Sequence, residues 1–182
     1  MRKKDEQQTA AQIIQLRRNR ALSRQGWVQL FTRLLMLGLV GWVLLTQVFL
    51  IVRASGNSMF PAVKDGDLLF GFRLKEEYRE DDVIVYTVDG ETYVGRIVAL
   101  SGDAVTLDDS GTLLVNGTAQ GGEILYPTYA KGDTSYPYTV PDGCAFVLGD
   151  YRTQTEDSRD FGPIPMENVE GKVITILRRR GL

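Results

Sequence analysis

The clearest pattern along the chain is an apolar run, "LLMLGLVGWVLLTQVFLIV", residues 34–52, bounded by Arg33 and Arg53. As a helix, this run would rise roughly 28 Å at about 1.5 Å per residue, close to a bilayer's hydrocarbon thickness of about 30 Å. It predicts a membrane-spanning helix over 34–53. Upstream, "EQQTAAQIIQLRRNRALSRQGW" is rich in helix formers, lacks proline and has only Gly26 as a glycine, which predicts a helix ahead of the span. Downstream the period changes. "DLLFGFRL", "DVIVYTV", "ETYVGRIVAL", "AVTLD", "TLLVNG", "CAFVLGD" and "KVITILRRR" are short β-type runs separated by turn residues. No stretch beyond residue 53 keeps a helical apolar period for three turns, so 54–182 is expected to be a mostly β domain. Asp89-Gly90 predicts a two-residue hairpin and Asn116-Gly117 another reversal. Residues 108–140 read as a looser insertion. Tyr126, Tyr129, Tyr136 and Tyr138 within it fit either ordinary packing or a docking surface.

Charge divides the chain into two compartments. Residues 1–33 carry eight Lys/Arg against Asp5 and Glu6, whereas residues 54–182 carry twelve basic against twenty-one acidic side chains. By the positive-inside rule this places the basic N-terminal segment 1–33 in the cytoplasm and the β domain outside. A cleaved secretory signal is the competing reading. The apolar core exceeds the roughly 7 to 15 residues of such a signal and stands behind some thirty residues, so an uncleaved anchor is expected. Cys144 is the only cysteine and the chain has no histidine, so neither an internal disulfide nor a metal site is expected. No cofactor and no nucleic-acid partner are expected either. Arg178, Arg179 and Arg180 read as a solvated tail.

The candidate chemistry begins at "SGNSMFPAV", Ser55 to Val63, just beyond the apolar run. Alone, a serine followed by an apolar residue and proline is a weak signal. Three further segments give it weight: "KDGDLLF" (64–70), "YVGRIVALSGD" (93–103) and "VLGDYRTQTEDSRDFGPI" (147–164). In this order, behind one span, they resemble the type I signal peptidases, membrane-anchored serine endopeptidases that remove signal peptides from secreted preproteins. The resemblance covers roughly residues 30–178.

The resemblance implies the following roles. Ser58 falls at the nucleophile position, with its backbone N–H as one oxyanion donor. Met59 falls where a residue shapes the substrate-side pocket, and Pro61 where a proline fixes the turn. Thr155 takes the place of a hydroxyl that orients the general base. Asp157 falls where a carboxylate pairs with the arginine after the base, here Arg96, and with Arg159. Asp150, Arg152, Asp157 and Arg159 are read as a structural ion-pair network. The base itself would be a lysine immediately before Arg96, but that position holds Gly95. Archaeal and endoplasmic-reticulum relatives use histidine there, which this chain lacks.

A glycine in a strand usually marks a bulge or a close backbone approach, and here an opened gap facing Ser58 is expected. Lys64, Lys75, Lys131 and Lys172 are the lysines of the β domain that would have to act as base instead. Lys64, in the acidic turn "KDGD", is expected to be exposed and protonated. Ala62, Ser101 and Tyr151 also depart from the family's usual threonine, proline and asparagine. Two functions stay open: a plasma-membrane signal peptidase with an unrecognised base, or a non-catalytic relative that binds preproteins or assists assembly. Families of the second sort occur near surface-pilus genes of Gram-positive bacteria, which makes pilin-type secreted proteins the alternative partner. Self-cleaving repressors with a serine-lysine core are excluded because they lack the span and the "GD-x-R…DSR" segment.

Overall fold

The structure is a computed structural model that describes residues 10–74, 77–121, 125–132 and 134–178. Helix α1, Ala10–Val43, is continuous, so the two helices expected from the sequence are one. It runs into a π-helical end, Leu44–Val48. The segment Arg24–Val48 is long and apolar enough to cross a membrane, and Leu35, Leu37 and Trp42 are each about two-thirds exposed or more. Apolar side chains exposed around a helix are what lipid would cover.

The expected helical span over 34–53 ends early. Its last five residues form strand β1, Phe49–Arg53, in which Leu50 is fully buried while Phe49 and Ile51 are exposed. Hydropathy cannot distinguish a side chain covered by lipid from one covered by a sheet, and the residues after Val48 alternate with period two.

The remaining strands follow the expected runs. They are β2 (Leu68–Phe72), β3 (Val83–Val88), β4 (Glu91–Leu100), β5 (Ala104–Leu107), β6 (Leu113–Val115) and β7 (Thr118–Ala119). After these come β8 (Tyr138–Thr139), β9 (Cys144–Leu148), a short helix α2 (Ser158–Phe161), β10 (Ile164–Pro165) and β11 (Val169–Leu177). A seven-stranded antiparallel sheet has the order β1-β2-β11-β3-β4-β9-β10, and a second sheet has the order β7-β6-β5-β8. Both predicted turns form: Asp89 and Gly90 take φ of 51° and 86° between β3 and β4, and Asn116 and Gly117 take 51° and 80° between β6 and β7. Positive φ at two successive residues is what a two-residue hairpin requires.

Residues 108–140 are less loose than expected. They supply β6, β7 and β8, and Leu113 and Val140 pack with Val98, Phe146 and Leu148 of the large sheet. The small sheet is thereby fastened to β4 and β9. Two other apolar clusters complete the core: Ile84, Tyr86, Ile97, Val147 and Ile164 in one, and Ala54, Met59, Val63 and Leu69 in the other.

Strands β2 and β11 meet unusually closely. A methyl group on Gly71 would overlap the carbonyl oxygen of Lys172 and lie 2.8 Å from its carbon. Gly71→Ala must push two backbones apart, and overpacking of this kind costs about 1–3 kcal/mol. Thermal unfolding of the full chain in detergent is expected to show a clearly lowered Tm for this variant.

Candidate functional site

Ser58 is held by main chain and by its neighbours. Ala54 donates to the Asp67 carbonyl at 2.8 Å, Phe60 to that of Asn57 at 3.0 Å, and Val63 to that of Met59 at 2.8 Å, closing the loop between β1 and β2. Met59 and Val63 are almost fully buried in the cluster that includes Leu69, Val94 and Val173. Buried there, Met59 anchors the turn. Half-buried Ser58 accepts through its carbonyl from the Tyr151 N–H at 2.9 Å.

The second wall is the segment after β9. A Cβ on Gly149 would lie 2.6 Å from the Ser58 carbonyl oxygen and overlap the Thr155 hydroxyl, so only glycine allows this approach. Thr155 is buried and its hydroxyl donates weakly to the Glu156 carbonyl at 3.3 Å. In the β4–β9 ladder Arg96 faces Leu148, which brings Gly95 and Gly149 to adjacent positions one step beyond that pair. Ser58 and Thr155 thus both approach Gly149, the position that the register places opposite Gly95.

At Gly95 the expected gap is absent. A Cβ there would lie 2.6 Å from Val147 Cγ1 and 3.1 Å from Tyr86 Cε1. Valine is stiff at χ1, so it cannot swing aside freely. The space that a base side chain would enter is filled.

Among the described residues, two of the β domain's lysines have partners of their own. The Lys131 ammonium donates to the Thr155 carbonyl and to Asp160 at 3.2 Å, and Lys172 pairs with Asp82 at 2.8 Å. Lys64 is exposed, and Lys75 lies outside the described residues. Arg179 and Arg180 of the expected solvated tail are also outside them.

The charged residues form two separate arrangements. Arg96 pairs with Asp150, not Asp157: Nε to Oδ1 is 2.9 Å and Nη2 to Oδ2 is 2.8 Å, while Nη1 donates to the Asp81 carbonyl. Strand periodicity explains the correction, because Asp150 is two residues past the Leu148 that faces Arg96, whereas Asp157 follows a turn. Donating to the Asp150 carboxylate raises the pKa of Arg96. Asp157 and Arg159 form a buried bidentate pair at 2.9 and 2.7 Å, each about 1% exposed. Asp157 also caps α2 and accepts from the Gly149 N–H at 3.3 Å.

Arg152 is buried and has no paired carboxylate among the described residues. It donates to the Gly149 carbonyl, to Thr128 Oγ1 at 2.6 Å and to Gln120 Oε1 at 2.7 Å. Burial lowers its pKa to about 10, which leaves it charged at neutral pH.

Several contributors carry no spacing signal in the sequence. Thr128, Gln120 and Lys131 come from the segment read as an insertion, and Arg159 reaches the Tyr129 carbonyl at 3.1 Å. Tyr126 stacks on Tyr151 with ring centres 4.3 Å apart, and Tyr151 leans on Phe60 at 6.1 Å. Tyr151 could have been found as one of the chain's departures from the family pattern; the others could not.

Comparison with known proteins matches residues 24–177 to the family described as Signal peptidase, peptidase S26. Signal peptidase I of Bacillus licheniformis is 31% identical over 162 residues, covering 80% of this chain and 83% of that protein. The probable thylakoidal processing peptidase 2 of Arabidopsis thaliana is 31% identical over 132 residues. The match takes in 65% of this chain but spans only 35% of that relative's length. A crystal structure of a signal peptidase I from Enterococcus faecalis aligns with a TM-score of 0.45 and 28% identity, over 55% of this chain and 98% of that one.

Removing one partner of a buried ion pair leaves the other charge uncompensated, at a cost of about 3–5 kcal/mol. Asp157→Ala is expected to lose stability of that order in urea unfolding.

Proposed function

The chain belongs to the signal peptidase family, peptidase S26, and from that premise we propose that it takes up signal-peptide segments of preproteins at Ser58 with little or no cleavage of its own. The observation that carries this reading is the filled space at Gly95. Attack by a serine hydroxyl on a peptide carbonyl needs a group to take its proton, and a hydroxyl without a base is a poor nucleophile at neutral pH. A positioned base contributes about 10²- to 10⁴-fold, and a coupled nucleophile and base lose more than either alone suggests. Val147 and Tyr86 occupy the place where a side chain from residue 95 would begin. The turn bearing Ser58 is nonetheless held, its carbonyl tied to Tyr151, and in this reading its backbone N–H serves as an oxyanion donor.

The protein is read as a single-pass membrane protein, with the basic segment 1–33 in the cytoplasm and the β domain outside. The charge asymmetry and the apolar segment Arg24–Val48 support this. No specific observation favours pilin-type proteins over other preproteins, and they are not part of the reading.

A preprotein cleavage and binding assay with the full chain in detergent tests it. The native chain and Ser58→Ala are expected to bind the preprotein equally and to leave it uncut. Gly95→Lys alone is expected to stay inactive because the added Cβ meets Val147. Gly95→Lys combined with Val147→Ala makes room and is expected to gain cleavage that depends on Ser58. Native turnover that vanishes in Ser58→Ala would overturn the non-catalytic reading, and failure to bind the preprotein would overturn the uptake.

A further inference from the structure

The loop bearing Ser58 opens beyond Pro61 onto a cleft of about 710 Å³. Its lining includes Phe60, Pro61, the Arg96–Asp150 pair, Lys64 and Arg178. Arg152 lies in the wall, 2% exposed. Among the described residues that line it, the cleft carries more positive than negative side chains, although the domain around it is negative. Asp150 is neutralised by Arg96, which leaves Asp81 against Lys64, Arg152 and Arg178. Residues 54–182 as a whole carry nine more acidic than basic side chains.

Three features show that these cations are not consumed by the fold. Lys64 and Arg178 are exposed and have no carboxylate partner among the described residues. Arg152 spends three hydrogen bonds on neutral acceptors, and a guanidinium has five N–H groups. Burying an arginine without a carboxylate is costly unless something else answers its charge.

We infer that this cleft is a binding site for a carboxylate-bearing peptide segment, an acidic stretch of chain lying beyond the residues held at Ser58. An extended peptide passing over Ser58 continues along Phe60 and Pro61 into the cleft. There a side-chain carboxylate meets Lys64 and Arg178, and Arg152 supplies the buried positive potential. Guanidinium groups favour planar carboxylates because their N–H groups match both oxygens. The volume lies within the range of about 300–1,000 Å³ typical of ligand clefts. This inference concerns binding alone and stands whether or not Ser58 cleaves.

The test measures fluorescence anisotropy of a labelled peptide that has Asp and Glu but no apolar signal segment. It is compared with the Asn and Gln version, on the full chain in zwitterionic detergent. The acidic peptide is expected to bind at least about ten-fold more tightly, the scale of one charge-assisted hydrogen bond, and less tightly as salt rises. Lys64→Gln and Arg178→Gln each should weaken it several-fold while leaving Tm and the amide peptide's affinity unchanged. Equal affinity for the two peptides, or variants without effect, would overturn the inference. So would displacement by inorganic phosphate beyond that by chloride at equal ionic strength, because it would assign the cleft to phosphate. Since the peptide lacks a signal segment, failure here is distinguishable from failure of preprotein uptake.

Discussion

The arrangement around Ser58 depends on one buried carboxylate. Asp157 accepts from the Gly149 N–H, from the Arg159 backbone and from two nitrogens of the Arg159 side chain. Each contact fixes a different part. The first holds the turn that lies against the Ser58 carbonyl, the second caps α2, and the third orients a guanidinium that reaches the Arg152 and Tyr129 carbonyls. A buried ion pair of this kind adds little net stability, because desolvation of both charges offsets their attraction. What it supplies is geometry. With every acceptor on Asp157 engaged, the chain from 147 to 160 has one arrangement, and the segment 125–132 can dock on it through Thr128, Tyr129 and Lys131.

That geometry explains how a serine can be well placed without being activated. Its position comes from the buried Met59 and Val63, the Tyr151 N–H and the missing Cβ of Gly149. None of these exchanges a proton. Placement belongs to backbone and packing, whereas activation belongs to a single side chain, and position 95 has none. The two properties are physically separable, and the contacts described around Ser58 account for the first.

Much of the architecture was legible in the sequence because it rests on local rules. The Asp89-Gly90 and Asn116-Gly117 turns, the change from helical to strand period and the ordered segments around Ser58, Arg96 and Asp157 all follow from residues close together in the chain. What could not be read depends on contacts across the chain. The end of the membrane helix was misplaced because Phe49–Arg53 is apolar for the sake of a sheet partner, not of lipid. The partner of Arg96 was misassigned because spacing gives residue types but not register, and only the Arg96–Leu148 pairing shows that Asp150 faces it. The small sheet was undervalued because its strands have only two to four residues each, too short for a period to emerge.

The expected gap at Gly95 failed for a further physical reason. A void the size of a long side chain in a packed strand interior costs about 24 cal/mol per Å³ of cavity, so a fold that lacks the side chain is more stable if neighbours close over the space. Tyr86 and Val147 do so here, and their cluster with Ile84 and Ile97 is fully buried. The glycine at position 95 is thus matched by the core around it. Placing a lysine there means undoing packing that now stabilises β3, β4 and β9 together, so the change involves two strands' side chains and not one position. Strand β4 and the segment just after β9 carry the Arg96–Asp150 pair into the lining of the cationic cleft. The core that closes over the base position is therefore also the support on which the remaining binding surface rests.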